Sequence, residues 1–226
     1  LRGDGPVVGD LPFALTEYNA LHDLELHTHA SGEAQVAAIS DDIAYNNHDL
    51  HDGLRAGLFT VDEICALPII GPAFAEVDRR YPGLGAKRRR HEALRRVFGV
   101  MVEDVLIASR RLLQETNPAS AGDIRAAGRP VIQFSDHLFN DLGAIRAFLF
   151  KRMYRAPSVV EMREQVTKVV EELFPLFMAD TGLLPDEWRE DVARAEDETH
   201  LARIVGDYIA GMTDRFALEV HGKLIG

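Results

Sequence analysis

Hydrophobic residues recur at helical spacing through most of the chain. From residue 31 onward, apolar side chains return every three or four positions, and no segment alternates long enough with the period of two that a half-buried strand requires. Capping residues, glycines and prolines divide the pattern into separate helices. These predicted helices span about 31–57, 60–68, 72–80, 87–115, 136–154, 158–180 and 197–226. The pattern therefore predicts an all-α fold.

Residues 1–30 contain several glycines and prolines and show no sustained period. We predict an irregular lead-in over 1–30, followed by one helical portion with a mainly single core over 31–226. Within that portion, residues 118–130 are predicted to form a loop because they are rich in proline, serine and glycine.

Local signals predict where several helices begin or are interrupted. Thr60 with Glu63 and Ser158 with Glu161 each have the spacing of a capping box. Pro175 predicts a bend or the start of a new segment, since proline removes a helical hydrogen bond.

Composition narrows the class of protein. The chain has 226 residues, a formal net charge of −11 and a single cysteine, Cys65, so it cannot form an internal disulfide. No apolar run approaches the roughly 20 residues that a membrane span needs, and the first residues are not a signal peptide. We therefore expect a soluble cytoplasmic protein whose chain begins inside a longer sequence. The negative charge argues against a general nucleic-acid binder.

The predicted first long helix has an unusual polar face. Asp41, Tyr45 and Asp49 follow one another at intervals of four, and His48 and Asp52 fall beside them. Aspartate disfavours helix interiors because it competes for backbone hydrogen bonds, so this density of acidic residues suggests a use. Two interpretations are open: a site for a divalent cation, or a solvated acidic face.

A basic cluster opens the helix predicted over 87–115. Residues 87–91 read Lys-Arg-Arg-Arg-His, and Arg95 and Arg96 follow one turn later. Guanidinium groups and helix N-termini both favour phosphate, so the cluster is a candidate triphosphate-binding site. The alternative is an exposed basic turn that pairs with acidic neighbours.

Two segments resemble a known family. Residues 33–49 read Glu-Ala-Gln-Val-Ala-Ala-Ile-Ser-Asp-Asp-Ile-Ala-Tyr-Asn-Asn-His-Asp, and residues 207–216 read Asp-Tyr-Ile-Ala-Gly-Met-Thr-Asp-Arg-Phe. Both resemble bacterial dGTPase-like triphosphohydrolases of the HD superfamily. Because the two matches lie far apart, a chance coincidence is a poor explanation. The resemblance implies the C-terminal part of an HD-domain-like helical bundle.

The resemblance also implies roles for individual residues. Asp41 matches the aspartate that completes the family's metal-ligand set, and Tyr45 and Asp49 match residues that contact the nucleotide's sugar. Basic residues of the arginine-rich helix are implied to lie near the phosphates. The candidates for that role are Arg89, Arg90 and Arg96.

Several of the family's functional residues have no match in this chain. The first metal histidine, the His-Asp doublet and the catalytic histidine and glutamate should all precede residue 33. The doublet at 22–23 lies in the lead-in, and those at 48–49 and 51–52 follow the aspartate that they should precede. We therefore assign no catalytic residue and expect one metal ligand of four, so the chain alone should be inactive.

For the intact protein, the resemblance implies hydrolysis of a dNTP to a deoxynucleoside and triphosphate. It also implies a divalent metal, Mg²⁺ or Mn²⁺, and assembly as a homo-oligomer. The rival interpretation is a non-catalytic helical module for oligomerisation or nucleotide sensing. Single-stranded nucleic acid at the basic cluster is a minor alternative, since no aromatic platform accompanies the arginines.

Overall fold

A computed structural model describes residues 5–7, 9 and 11–226 of the protein. Across these residues all regular structure is helical, so the predicted all-α class is confirmed. The chain divides into two compact units, the first ending at Tyr154 and the second beginning at Arg155. The division predicted at residue 30 stays a prediction.

The first unit contains seven α-helices and a terminal π-helical turn among its described residues. They are α1 (Phe13–Leu21), α2 (Gly32–Arg55), α3 (Val61–Ile64), α4 (Ile70–Arg80), α5 (Ala86–Thr116), α6 (Ala121–Arg125), α7 (Asp136–Leu149) and the π-helical segment Phe150–Tyr154.

The second unit is built from α8 (Pro157–Ala179), α9 (Arg189–Ala193), α10 (Glu198–Ala210) and α11 (Asp214–Leu224). Two short 3₁₀ turns, Thr181–Leu183 and Asp186–Trp188, connect α8 to α9. Its core is a separate apolar cluster from α8 and α10, in which the ring of Tyr208 packs edge-on against Phe177 at 5.3 Å and near Trp188 at 5.4 Å.

The two long helices of the first unit begin and end where the sequence predicts. Ser31 caps α2 by accepting a hydrogen bond from the Ala34 amide, and Gly57 follows its end with a φ of 70°. The helix α5 ends at Asn117, which adopts the left-handed conformation. α2 packs against α5 and α7, and α4 packs on α5. The fully buried residues of these and neighbouring helices include Leu50, Ile64, Ile70, Val77, Ala93, Val97, Met101, Leu142 and Ile145.

A buried glutamine joins the start of α2 to the segment before α7. Gln35 is 1% exposed, and its side-chain oxygen accepts hydrogen bonds from the amides of Val131 and Ile132 at 2.8 and 3.0 Å. Its nitrogen donates to the Ala30 carbonyl at 2.8 Å. This one side chain therefore satisfies backbone groups in segments almost one hundred residues apart along the chain.

Four local expectations differ from the structure. The lead-in is not irregular throughout, since α1 forms within it. The loop predicted over 118–130 contains α6, which Ser120 and Asp123 start with a capping box. The box predicted at Ser158 is absent, because α8 begins one residue earlier with Pro157 in its first turn. The last predicted helix is two helices, because Thr213 caps a new one.

Two other local predictions can be compared with the structure. Thr60 and Glu63 form the expected capping box at the start of α3. Pro175 begins no new segment, because it lies inside α8 and the helix continues to Ala179.

Replacing Gln35 with alanine should destabilise the first unit. The change leaves the Val131 and Ile132 amides without their acceptor, which should cost about 2–4 kcal/mol. Chemical denaturation followed by circular dichroism measures the loss. The control is Gln114→Ala on the exposed side of α5, which should change stability by less than about 0.5 kcal/mol. If both substitutions lower the free energy of unfolding equally, Gln35 does not stabilise the unit through these hydrogen bonds.

The second unit should lose a stabilising contact at acid pH. His221 Nε2 lies 2.5 Å from Glu172 Oε2, and this hydrogen bond holds the pKa of the Glu172 carboxyl below its usual range. A pKa that is lower in the folded chain stabilises the fold above the unfolded-state pKa, and this stabilisation is lost as pH falls through the folded-state value.

We therefore expect wild type to exceed Glu172→Gln in thermal midpoint near pH 6, and the two midpoints to converge below about pH 4. Thermal unfolding at several pH values gives the comparison. Glu171→Gln, at the exposed neighbouring position, is the control and should follow wild type throughout. A gap between wild type and Glu172→Gln that stays constant down to low pH would contradict this assignment.

Candidate functional site

The polar face predicted on α2 faces solvent over most of its length. Asp41, Tyr45, His48 and Asp52 are all exposed, and Tyr45 is 58% exposed although it is a large aromatic residue. Asp41 makes no hydrogen bond or ion pair with the described residues. The face therefore combines an unpaired carboxylate with an exposed aromatic ring one helical turn away.

The carboxylate next to Asp41 is paired inside the fold. Asp42 Oδ2 accepts a hydrogen bond from the Arg146 guanidinium of α7, and its side chain is only 20% exposed. The buried Asn46 donates to the Asp42 backbone carbonyl at 2.6 Å. Asp42 is consequently neutralised by α7, whereas Asp41 is exposed and has no partner among the described residues.

Asp49 is also held by the end of the first unit. The hydroxyl of Tyr154, the last residue of the π-helical segment, donates a hydrogen bond to Asp49 Oδ2. Burial raises the pKa of Tyr154, and its hydrogen bonds to Asp49 and to Tyr45 raise the pKa further. The phenol therefore stays protonated at neutral pH and acts as the donor, while Asp49 acts as the acceptor.

The three residues predicted to face the nucleotide thus have different surroundings. Asp41 and Tyr45 are exposed, while Asp49 is half-buried on the flank of α2 that faces Tyr154. Tyr45 and Asp49 are brought together through their shared contact with Tyr154. Sequence analysis missed Tyr154 and Arg146, because contacts more than one hundred residues apart leave no local spacing signal.

A complete cation site is not found among the described residues, which contain no cluster of three or more histidine, cysteine, aspartate or glutamate side chains suited to a metal ion. The free carboxylate of Asp41 has the oxygen chemistry that Mg²⁺ and Mn²⁺ prefer, so this residue fits the role of one ligand. The metal role of Asp41 stays a prediction.

Two of the candidate phosphate-binding arginines pair with carboxylates in the structure. Arg89 of α5 binds Asp78 of α4 through two hydrogen bonds of 2.5 and 2.7 Å, and its guanidinium lies 4.8 Å from the centre of the Phe74 ring. Arg96 contacts Glu76 at 3.2 Å and Glu92 at 3.0 Å, with its side chain 15% exposed. Both arginines join α5 to α4, and Arg96 also contacts the preceding turn of α5.

Arg90 differs from these two in having no carboxylate partner in the described part of the chain. Its Nε atom is buried without a hydrogen-bond partner, as is the Nε atom of Arg96. The start of α5 lies beside α2, because the rings of His91 and His51 are 5.3 Å apart. The phosphate roles of Arg89, Arg90 and Arg96 stay predictions. Phosphate binding by Arg90 would not require an existing ion pair to break.

An open groove of about 570 Å³ lies on the solvent side of the same cluster. Its positive lining residues are Lys87, Arg88 and Arg95, and Tyr81 and His91 contribute aromatic rings. Arg95 pairs with Glu92, through contacts of 2.8 and 3.1 Å. Arg95 therefore lines the groove and is also paired with a carboxylate of the same groove.

The described helices show no membrane-spanning candidate, since none combines the necessary length with the necessary apolar character.

Comparison with known proteins defines the class to which this fold and face belong. Residues 132–223 match the phosphohydrolase-associated domain family. The matched region includes α7 and the π-helical segment, and therefore both side chains that hold the acidic residues of α2, Arg146 and Tyr154.

Over its whole length the chain matches proteins named deoxyguanosinetriphosphate triphosphohydrolase-like protein. It is 64% identical to the one from Roseobacter denitrificans over 99% of the chain, 63% identical to one from Cereibacter sphaeroides over 100%, and 66% identical to that from Jannaschia sp. over 100%. The chain belongs to this family. It spans 58%, 60% and 57% of the lengths of these three relatives, respectively.

Removing Arg146 should destabilise the first unit through Asp42. Arg146→Met leaves a half-buried carboxylate without its guanidinium, at an expected cost of about 1–2 kcal/mol. Adding Asp42→Asn removes the unpaired charge and should restore most of that loss, as measured by chemical denaturation.

The matched control is Arg215→Met, which breaks an ion pair with Glu219 on the surface of α11, where the arginine side chain is 90% exposed. It should cost less than about 0.5 kcal/mol. Additive effects of Arg146→Met and Asp42→Asn would show that the two side chains do not depend on each other.

Proposed function

We propose that a protein containing this chain hydrolyses a dNTP, of which dGTP is the first to test, to a deoxynucleoside and inorganic triphosphate with a divalent metal ion. The family to which the chain belongs supports this reaction class, since its members are named for it. The chain contributes one metal ligand and part of the nucleotide pocket, and residues outside it complete the site.

Asp41 is the proposed metal ligand. Its carboxylate is exposed and unpaired among the described residues, whereas the adjacent carboxylate of Asp42 is neutralised by Arg146. A bound Mg²⁺ or Mn²⁺ would supply Lewis-acid stabilisation of phosphoryl oxygens. Because a single carboxylate cannot hold an ion against water, the remaining ligands must come from elsewhere in the protein, and this chain alone is inactive.

Tyr45 and Asp49 form the proposed sugar-binding part of the pocket. Tyr45 presents its exposed ring one turn from Asp41, where it can lie against a deoxyribose and leave little space for a 2′-hydroxyl. Asp49 retains one carboxylate oxygen that is free of Tyr154, and this oxygen can accept a hydrogen bond from a sugar hydroxyl.

Arginines at the start of α5 are the proposed phosphate ligands. The guanidinium of Arg90 has an unpartnered Nε, so binding a phosphate oxygen there would satisfy a buried donor. Arg89 and Arg96 can act in the same place only by exchanging or sharing their carboxylate partners, Asp78 for the first and Glu76 and Glu92 for the second.

One observation contributes most to this proposal. On α2, the fold satisfies the inward carboxylates and leaves Asp41 and the ring of Tyr45 exposed together. Together they offer a ring face for stacking and an oxygen ligand for a cation within one helical turn. A solvated acidic face, the rival interpretation, would not require an exposed tyrosine there.

The partners and the location of the protein belong to the same proposal. We propose a cytoplasmic homo-oligomer that acts on a dNTP. The alternative function is non-catalytic nucleotide sensing. It differs from the proposed hydrolysis because it requires nucleotide binding that does not depend on Asp41 or on metal. Binding of single-stranded nucleic acid at the basic groove would weaken steeply with salt.

Substituting Asp41 should abolish metal-dependent hydrolysis in a protein of the relatives' full length that contains this chain. Asp41→Ala removes a ligand from the ion, so triphosphate release with added Mn²⁺ or Mg²⁺ should fall by at least about 100-fold. Thermal stability should stay within about 0.5 kcal/mol, because Asp41 is exposed and unpaired.

The control is Asp62→Ala, which removes an exposed aspartate in the first turn of α3 and should leave the rate of triphosphate release unchanged. Retention of full metal-dependent activity by Asp41→Ala would refute the proposed site. If wild type binds nucleotide without hydrolysing it, and Asp41→Ala binds nucleotide with the same affinity, the sensing role is favoured.

A further inference from the structure

Helix α5 has an exposed glycine near its centre that no contact within the described chain requires. Gly99 lies on the side of this 31-residue helix opposite the buried Val97 and Met101. A glycine in a helix interior costs about 1 kcal/mol relative to alanine. A Cβ atom added at Gly99 would meet no atom of the described residues within 4 Å, so packing inside this chain does not explain the glycine.

Large apolar side chains surround this glycine. Phe98, Val100, Leu106 and Ile107 are all exposed, from 43% at Val100 to 63% at Ile107. Single exposed apolar residues are ordinary, but four within ten residues of one helix form a patch of the kind that marks a protein contact. A glycine in the middle of such a patch lets the backbone of a second helix approach closely.

Gly143 of α7 provides a comparison. It is also exposed, and a Cβ atom added there likewise meets nothing within 4 Å among the described residues. However, no large apolar side chain of α7 is exposed. The surrounding patch, and not the free glycine alone, therefore distinguishes α5.

The charges beside Gly99 are self-complementary. Arg95 precedes it by four residues and Glu103 follows it by four, so each lies about one turn away on the same face. The Arg95 side chain is 70% exposed although it pairs with Glu92, and Glu103 is exposed with no partner among the described residues. If two copies of α5 cross antiparallel at Gly99, Arg95 of each copy lies level with the partner's Glu103.

We propose that this face of α5 binds the same face of a second copy of the protein, with the two helices nearly antiparallel and a two-fold axis at Gly99. The occupant is a second copy because the opposite charges are placed symmetrically about the glycine, so that an identical antiparallel helix matches them at both ends. This inference rests on the homo-oligomer of the proposed function, which it deepens by naming one contact surface, and it uses no step of the hydrolysis.

The same register brings an apolar side chain of one copy to the open groove of the other. Leu106 follows Gly99 by seven residues, so it lies level with the partner's Glu92, which precedes the glycine by seven. Glu92 lines the groove together with Tyr81 and Leu84. The exposed leucine of each copy is therefore removed from water at the edge of a groove that itself has apolar lining.

Enlarging Gly99 tests the close approach of the two helices. Gly99→Leu should not destabilise α5 itself, because the added side chain has open space and leucine favours a helix more than glycine does. Between two helices that touch at this residue, leucine should hold them apart and raise the dissociation constant of the contact by at least about tenfold. Sedimentation velocity of a full-length protein containing this chain measures that constant over a range of concentrations. Gly143→Leu is the matched control and should leave it unchanged.

A charge exchange tests the register. Arg95→Glu and Glu103→Arg each place like charges level with one another across the contact, so each should weaken association by roughly three- to tenfold. The double variant restores opposite charges at both ends and should associate within about twofold of wild type. A double variant that associates no better than the single ones would show that the helices do not pair in this way.

A cross-link locates the two-fold axis. Gly99→Cys places one thiol from each copy beside the axis, where the Cα atoms should come within the roughly 4.4–6.8 Å that a disulfide requires. Mild oxidation with copper phenanthroline should then give a disulfide-linked dimer on a non-reducing gel. Gly143→Cys should give no more of it than wild type, which retains Cys65 and reports the background.

The alternative cover for this face is another part of the same protein, since the chain spans between 57% and 60% of the lengths of the relatives compared above. Gly99→Leu would then lower the thermal midpoint without changing the oligomeric mass, and Gly99→Cys would give no cross-linked dimer. Either that result, or a Gly99→Leu protein that associates and unfolds as wild type does, overturns the proposal.

These measurements are independent of substrate, so they separate the inference from the proposed hydrolysis. If the protein releases no triphosphate from any dNTP, the hydrolysis fails while the mass and the cross-link still report on α5. If the protein is active but Gly99→Leu leaves its association unchanged, the hydrolysis stands and the contact through α5 fails.

Discussion

The acidic residues of α2 are divided into two sets, and the rest of the site depends on that division. Asp42 and Asp49 are satisfied inside the fold by Arg146 and Tyr154, whereas Asp41 is exposed with no partner among the described residues. Like charges this close on a helix would otherwise repel one another and disfavour it. Because the fold neutralises one carboxylate and orients another, α2 can present a single free carboxylate beside an exposed tyrosine without losing its helical structure.

The phosphohydrolase-associated region explains why this division is possible. It spans residues 132–223, and its first elements, α7 and the π-helical turn, supply both side chains that hold α2. The segment that leads into α7 is itself fixed to the start of α2 by the buried Gln35. α2 is thus contacted near its beginning, at Asp42 and at Asp49 by one continuous stretch of chain. These contacts fix the rotation of α2 about its axis.

The helices could be predicted from the sequence, but the contacts between them could not. Periodicity and capping residues correctly predicted the all-α class and the extents of α2 and α5, because these are local properties. The errors were also local in origin: Ser158 was predicted to cap a helix that instead begins at Pro157, and Thr213 was not recognised as the cap that begins a second helix. For the site, spacing correctly placed Asp41 and Tyr45 on one exposed face. It could not show that Arg89 and Arg96 pair with carboxylates from α4 and α5, or that Tyr154 reaches Asp49, because such contacts depend on tertiary packing.

The most direct test of the account is the position of a manganese ion in a crystal of the full-length protein with a non-hydrolysable dGTP analogue. Anomalous scattering locates the ion independently of any assumption about its ligands. We expect an anomalous peak within coordination distance, about 2.0–2.3 Å, of a carboxylate oxygen of Asp41, with the sugar against Tyr45. A manganese peak bound elsewhere, while Asp41 still faces solvent and the nucleotide lies away from α2, would contradict it.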